Sequence, residues 1–309
     1  MSERRALRVR GVVQGVGFRP FVYRLATAHG LSGLVRNDGE GVWIEVEGDV
    51  ASLARFSEQL CADAPPLSRI DSVESVLRPP LGQRHFRIDS SGGAGGAANL
   101  PADVATCDSC LRELRDPRDR RYRYPFINCT DCGPRFTVAR ELPWDRPRTT
   151  MSAFRLCEPC RAEYEDPTSR RFHAEPNACP ACGPRLMFRR SGESETATRE
   201  DALSLALETL LSGRILAVKG LGGFFLAVDP RDDEAVLRLR VRKHRPHKPF
   251  ALMVRDLEVA RRLAQVDSDA EAALRSPVRP VVLLPARRDH RLAPSVAPAL
   301  RELGVMLPY

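Results

Sequence analysis

The sequence predicts an α+β multidomain chain, and three observations carry that prediction. The first ninety or so residues order their apolar periodicities as β-α-β-β-α-β. The middle holds a duplicated array of paired cysteines, and the last third returns to alternating helix and strand patterns. The expected domains are 1–89, 104–190 and 191–309, with a Gly/Ala/Ser linker over 90–103 that contains the run SSGGAGGAAN. A length of 309 residues leaves room for that many cores, and 43% hydrophobic with 28% charged residues excludes global disorder. No run of 18 apolar residues is present, so no membrane span is expected, and the N-terminus MSERRALRVRG shows no signal-peptide pattern. A cytoplasmic location follows as the expectation. Nine cysteines in a reducing compartment read as metal ligands before they read as disulfides.

In the first segment Ala6–Val13 alternates as a strand, and Pro20–His29 is helical with Phe21, Leu25 and Ala28 on one face. Gly33–Arg36 and Val42–Glu47 are strands around the turn signal Asn37-Asp-Gly-Glu-Gly41. Val50–Cys61 is an amphipathic helix through Leu53, Phe56 and Leu60, and places Cys61 as a buried thiol. Ile70–Leu77 and the short His85–Ile88 complete the strands. This order suits a ferredoxin-like split βαβ sandwich.

The middle segment repeats with a period of fifty residues. Its cysteines are spaced C-x2-C-x18-C-x2-C-x24-C-x2-C-x18-C-x2-C, and each half fits a closed, structural four-thiolate zinc site. The expected ligands are Cys107, Cys110, Cys129, Cys132, Cys157, Cys160, Cys179 and Cys182. Redox pairs, an iron–sulfur cluster and disulfides are the competing readings, and four CxxC pairs in duplicated loops favour zinc over a thioredoxin-like centre. His173 could replace a thiolate, but its counterpart in the first copy is Arg123, so four cysteines per site is the simpler set. Spacing leaves pairing across the copies open. Gly133 and Gly183 each follow a knuckle, where positive φ is often required.

Between the first strand and the first helix lies Val13-Gln-Gly-Val-Gly-Phe-Arg19. Backbone N–H groups of Gln14, Gly15, Val16, Gly17 and Phe18 in such a turn can cradle an anion, and Arg19 can add a charged fork. Asn37 falls near that turn, where an amide could orient a water. In the last third, Asp201–Leu211, Asp232–Arg242 and Leu257–Leu263 read as helices, and 215–218, 224–228, 250–254 and 281–284 as strands. The chain carries a net charge of +8, yet only Lys219, Lys243 and Lys248 are lysines, and all three lie in Lys219-Gly-Leu-Gly-Gly-Phe224 or Arg242-Lys-His-Arg-Pro-His-Lys-Pro249. That confinement favours a polyphosphate site over a solvated face.

Residues 6–89 resemble acylphosphatases through the pattern G-x-V-Q-G-V-x-F-R at Gly11–Arg19 and the asparagine at Asn37. The resemblance implies hydrolysis of a carboxyl–phosphate anhydride, with Arg19 and the loop amides holding the phosphoryl group and Asn37 placing the water. The lysine motifs resemble the nucleotide-binding part of YrdC/Sua5-type domains, which implies that Lys219, Lys243, Arg245 and Lys248 face ATP phosphates, with Mg²⁺ accompanying the nucleotide. The three motifs in this order, with Pro143-Trp-Asp-Arg, Arg170-Arg-Phe-His-Ala174 and Pro176-Asn-Ala-Cys179, resemble the hydrogenase-maturation carbamoyltransferases. That family implies carbamoyl phosphate and ATP as substrates, a carbamoyl adenylate, and a partner protein whose C-terminal cysteine receives the carbamoyl group. By the same resemblance the YrdC-like domain is incomplete at Tyr309, and a C-terminal fragment of the same enzyme is an expected partner. The rivals are a zinc-ribbon RNA-binding or tRNA-modification protein and a stand-alone acylphosphatase. Few aromatics stand beside the basic runs of the cysteine segment, which makes nucleic acid the weaker partner.

Overall fold

The computed structural model describes residues 2–92, 99–194, 196–220 and 222–309. Residues 93–98 of the expected Gly/Ala/Ser linker, Glu195, and Leu221 of the glycine turn lie outside the described residues. The chain divides into two compact units, Met1–Pro184 and Arg185–Tyr309.

The first unit opens with β1 (Ser2–Val12), α1 (Phe18–Ala28), β2 (Ser32–Asp38), β3 (Gly41–Asp49), α2 (Val50–Ala62), β4 (Arg69–Arg78) and β5 (Phe86–Ile88). They form a five-stranded sheet in the order β4-β1-β3-β2-β5. The β2–β5 pair is parallel and the other pairs are antiparallel. This is the expected split βαβ sandwich. Its core joins Leu7 and Val9 of β1, Val35 of β2 and Ile44 and Val46 of β3 to Phe18, Val22, Leu53, Phe56 and Leu60 of the two helices. Each such side chain contributes roughly 1.5–3 kcal/mol on burial. Pairing of Asp38 with Gly41 closes a two-residue hairpin turn, which leaves Asn37 inside β2 opposite Val42. Glycine is required at Gly33: its φ is +135°, and a Cβ there would stand 2.0 Å from the Glu45 carbonyl oxygen of β3.

Two expectations for the helices are corrected. Phe21 and Leu25 of α1 are partly buried and pack against the core beside the buried Phe18, Val22 and Ala26, but Ala28 is exposed. The helix starts earlier than the apolar pattern alone indicates, because Gly17 in the left-handed conformation ends the loop there. Cys61 is exposed. It follows Leu60 by one position, about 100° around the helix, and so turns away from the face that buries Leu53, Phe56 and Leu60.

The duplicated segment repeats in three dimensions. Cys107 caps α3 (Asp108–Arg115) and Cys157 caps α4 (Glu158–Glu165). Arg123 and His173, fifty residues apart, both have positive φ, at 56° and 50°. The Gly133 expectation holds, with φ +97°. Gly183 is not left-handed; it is needed for space, since a Cβ would stand 2.1 Å from the Tyr124 hydroxyl.

The second unit contains β6 (Met187–Phe188), β7 (Ala197–Thr198), α5 (Arg199–Leu211), β8 (Leu216–Lys219), β9 (Phe224–Ala227), α6 (Asp233–Arg242), β10 (Leu252–Met253), α7 (Leu257–Leu263), α8 (Ser268–Arg275), β11 (Val282–Pro285) and β12 (Glu302–Met306). β10, β12 and β11 form one three-stranded sheet, and β8 pairs with β9 in a hairpin. Its core gathers Val236, Leu257, Ala260, Leu274, Leu284, Leu303 and Val305. Asp232, Asp256 and Asp267 cap α6, α7 and α8 by accepting from Ala235, Val259 and Ala270 N–H groups.

Candidate active site and metal centres

In the loop between β1 and α1, Gly15 and Gly17 take φ of 72° and 77°, left-handed positions of the kind from which anion-binding turns are built. Among the described residues none accepts from the N–H groups of Gly15, Val16 or Gly17. The loop continues into the N-terminus of α1, whose dipole favours negative charge. Gln14 is buried and its side chain clamps the hairpin, donating to the carbonyls of Asp38 and Gly41 at 2.8 Å each. That clamp brings Asn37 beside the loop.

The cysteine repeats close over this loop. The Trp144 N–H donates to Gln14 Oε1 at 2.8 Å, and Asn37 Nδ2 donates to the Trp144 carbonyl at 2.9 Å. Arg135 Nε donates to the Gly15 carbonyl, and Arg19 Nη2 reaches the Trp144 carbonyl at 3.2 Å. A cavity of about 20 Å³ remains, lined by Gly15, Gly17, Arg19, Asn37, Thr130, Trp144, His173 and Glu175 among others. Asn37 Oδ1 is buried and has no hydrogen-bond partner among the described residues. With the amide nitrogen committed to Trp144, that oxygen is an acceptor in want of a donor, and a water is the natural one.

Arg19 is 6% exposed and meets two carboxylates, Asp145 at 2.7 Å through Nη1 and Glu175 at 2.6 Å through Nη2. Burial works against its charge, but Glu175 and Asp145 overcome that and hold its pKa above the usual arginine value. Burial likewise pushes the Glu175 carboxyl up, opposed by Arg19. Both Glu175 oxygens face donors: Oε1 takes Arg19, and Oε2 takes Tyr164 Oη at 2.8 Å and the Arg146 N–H at 2.9 Å. Both oxygens of Glu175 are thus occupied, and the carboxylate faces the Arg19 guanidinium directly.

The eight cysteines of the repeats fall into two sets, Cys107/Cys110/Cys129/Cys132 and Cys157/Cys160/Cys179/Cys182, each with its sulfurs within 4.8 Å of one another. The pairing left open by spacing is therefore within each copy. Neighbouring sulfurs stand 3.7–3.9 Å apart. Four thiolates about 2.3 Å from a central zinc are about 3.8 Å apart in a tetrahedron, so both sets fit the ion. His173 is no ligand; it packs against Tyr164 and Phe172, with ring centroids 5.0 and 4.7 Å away. Each copy lends its Arg-Arg pair to the other: Arg121 donates to Asn177 Oδ1 and Arg171 to the Asn128 carbonyl, and each bonds the other copy's α-helical glutamate, Glu163 or Glu113. These cations offset the net negative charge of a four-thiolate zinc centre.

The sequence-derived residues Gln14–Arg19 and Asn37 are thus brought together. Lys219 sits at the end of β8, its Nζ 5.1 Å from the Phe224 ring centroid. Lys243 caps α6 and is exposed with Lys248, while Arg245 folds back onto the Lys248 and Pro249 carbonyls and the Phe250 ring. Sequence reasoning assigned no role to Trp144, Asp145, Glu175 or Arg135. Their contact with the loop is made across more than a hundred residues, and nothing in their local pattern marks it.

Comparison with known proteins defines the class first. The acylphosphatase family model matches residues 5–88, and an acylphosphatase of Thermotoga maritima is 41% identical over 83 residues, which is 26% of this chain and 91% of that protein. Residues 5–88 belong to the acylphosphatase family. The HypF finger model matches residues 106–139 and 156–188, and the Sua5/YciO/YrdC model, described as telomere recombination, matches residues 208–309. Along its length the chain is similar to carbamoyltransferase HypF: the Rhodobacter capsulatus protein is 53% identical over 307 residues, covering 98% of this chain and 40% of that one. A crystal structure of full-length HypF in the phosphate- and nucleotide-bound form superposes with a TM-score of 0.93 at 44% identity, covering 100% of this chain and 40% of that one. The resemblance drawn from the three ordered motifs is borne out, and the chain spans about two fifths of these relatives.

Proposed function

We propose that this chain supplies the acyl-phosphate-hydrolysing and nucleotide-binding portion of a HypF-type carbamoyltransferase in [NiFe] hydrogenase maturation. The observation that carries the reading is that Gly15, Gly17, Arg19 and Asn37 line one cavity, with Asn37 Oδ1 lacking a hydrogen-bond partner among the described residues. The amides and Arg19 hold the phosphoryl oxygens of carbamoyl phosphate. Asn37 Oδ1 accepts from a water and aims it at phosphorus. The water oxygen bonds phosphorus, the bond from phosphorus to the carbamoyl oxygen breaks, and its electron pair leaves on carbamate. The water's proton passes to a phosphate oxygen, so no separate base is needed. Catalysis rests on positioning and on charge stabilisation.

Carbamate decomposes in water, which favours its direct use at a nucleotide site. There it attacks the α-phosphorus of ATP, expels pyrophosphate and becomes carbamoyl adenylate. Lys219, Lys243, Arg245 and Lys248 are proposed to face the nucleotide phosphates, with Mg²⁺ on the nucleotide. Passage of the carbamoyl group to the C-terminal cysteine of a maturation partner is proposed for the whole enzyme in the cytoplasm. The two cysteine sets hold structural zinc.

Phosphate release from carbamoyl phosphate tests the reading. The wild-type chain should release phosphate, Arg19→Ala should lose about a thousandfold and Asn37→Ala about a hundredfold in kcat/KM. Equal rates in wild type and Arg19→Ala would remove the proposed hydrolysis.

A further inference from the structure

Arg19 leaves the first turn of α1, and of the three groups that hold its guanidinium, Glu175 lies in the second cysteine repeat. We infer that Glu175 is the positioning residue that aims Arg19 into the anion cradle, so that the acyl-phosphate site is completed by the second zinc repeat. The inference rests on the hydrolytic reading above and extends it to a group outside the acylphosphatase-family domain.

Three observations support it. First, the Glu175 side chain is 0% exposed and every contact made to it is a donor, from Arg19, Tyr164 and Arg146. Second, its segment is pinned: Arg146 Nη1 also donates to the carbonyls of Glu175 and Asn177, and Asn177 Nδ2 donates to the Cys160 carbonyl at 3.0 Å. Glu175 is therefore tied to the backbone of a metal ligand and cannot follow Arg19; Arg19 must conform to it. Third, the donor count leaves a use for the rest of the guanidinium. Of its five N–H groups, three are taken by Asp145, Trp144 and Glu175. The Asp145 side chain is 22% exposed where that of Glu175 is wholly buried, so Asp145 is the partner that an incoming phosphoryl group can replace. Glu175 is the partner that stays.

The test uses the full chain. Glu175→Gln keeps the shape and the contacts from Tyr164 and Arg146 but removes the charge that orients Arg19. Tyr164→Phe keeps the charge and removes one of the bonds that fix it. For each, kcat and KM for carbamoyl phosphate, inhibition by inorganic phosphate, bound zinc and thermal midpoint are measured. Glu175→Gln is expected to retain both zinc ions, to lose about tenfold or more in kcat/KM, and to weaken inorganic phosphate inhibition in parallel. Tyr164→Phe is expected to move in the same direction by less, and Glu175→Asp to recover part of the loss. Wild-type kcat/KM and phosphate inhibition in a zinc-loaded Glu175→Gln, beside an inactive Arg19→Ala, would overturn the inference and leave the hydrolytic reading standing. If Glu175→Gln sheds zinc, Tyr164→Phe decides, and wild-type values there overturn the inference. Full activity in Arg19→Ala is the separate result that fells the reading beneath it.

Discussion

Arg170 Nη2 lies 3.6 Å from the Sγ of Cys110 in the other copy of the repeat, and Arg120 Nη1 lies 3.3 Å from the Sγ of Cys160 in return. The same two arginines also hold Glu113 and Glu163 of the opposite copies. Each metal set is thus stabilised by a cation that its own copy does not supply. Arg170→Ala is expected to weaken zinc retention at Cys107/Cys110/Cys129/Cys132, and Arg120→Ala at Cys157/Cys160/Cys179/Cys182, each by about tenfold. Competition with a chromogenic chelator reads this out, and loss from the variant's own copy would contradict the crossed pattern.

Gly33→Ala tests the β2–β3 register. With φ at +135° and the Glu45 oxygen 2.0 Å from the added Cβ, neither the backbone nor the neighbour can yield cheaply. A loss of about 3 kcal/mol is expected in urea unfolding of the first unit.

His173 gives a pH dependence. Burial first, and Arg19 second, bring its pKa down to about 4 from an ordinary 6.5, against a weaker pull from Asp145. The fold favours the neutral ring, so its contribution is fully present above pH 6.5 and is lost as pH falls toward 4. Thermal midpoints of wild type and His173→Asn should therefore converge, or cross, on acidification over that window. Parallel curves would show that the ring does not titrate there.

Cys61 is the one cysteine outside the two metal sets, and it is exposed. In zinc-loaded protein one thiol should react quickly with a disulfide reagent, and Cys61→Ser should abolish that phase.

Much of the N-terminal domain was legible in the sequence. Its strands alternate, its helices carry three- and four-residue apolar spacing, and the Gly11–Arg19 pattern with Asn37 marks residues that line one cavity. Metal ligation was legible because CxxC spacing is a local record of a tetrahedral site. What stayed hidden depends on long-range contact. A carboxylate such as Glu175, between alanine and proline, carries no periodicity, and its meaning lies in Arg19, 156 residues away. Cys61 misled because a helical face is about 100° wide and one position beyond Leu60 is already outside it. The helix α8 and strand β12 went unread because Ala-rich and short apolar segments are held by the second unit's core rather than by their own pattern.

The crossed arginines give the two cysteine copies the logic of a two-fold dimer whose subunits share one chain, since each offers the other the same patch it receives. A true homodimer must use one sequence for both partners. Joining the copies lifts that constraint. Where the second copy has Glu175, the first has Pro125, and only the second copy's residue meets Arg19. The two copies therefore meet the neighbouring domain in different ways, the first through Arg135 at the Gly15 carbonyl and the second through Glu175 at Arg19.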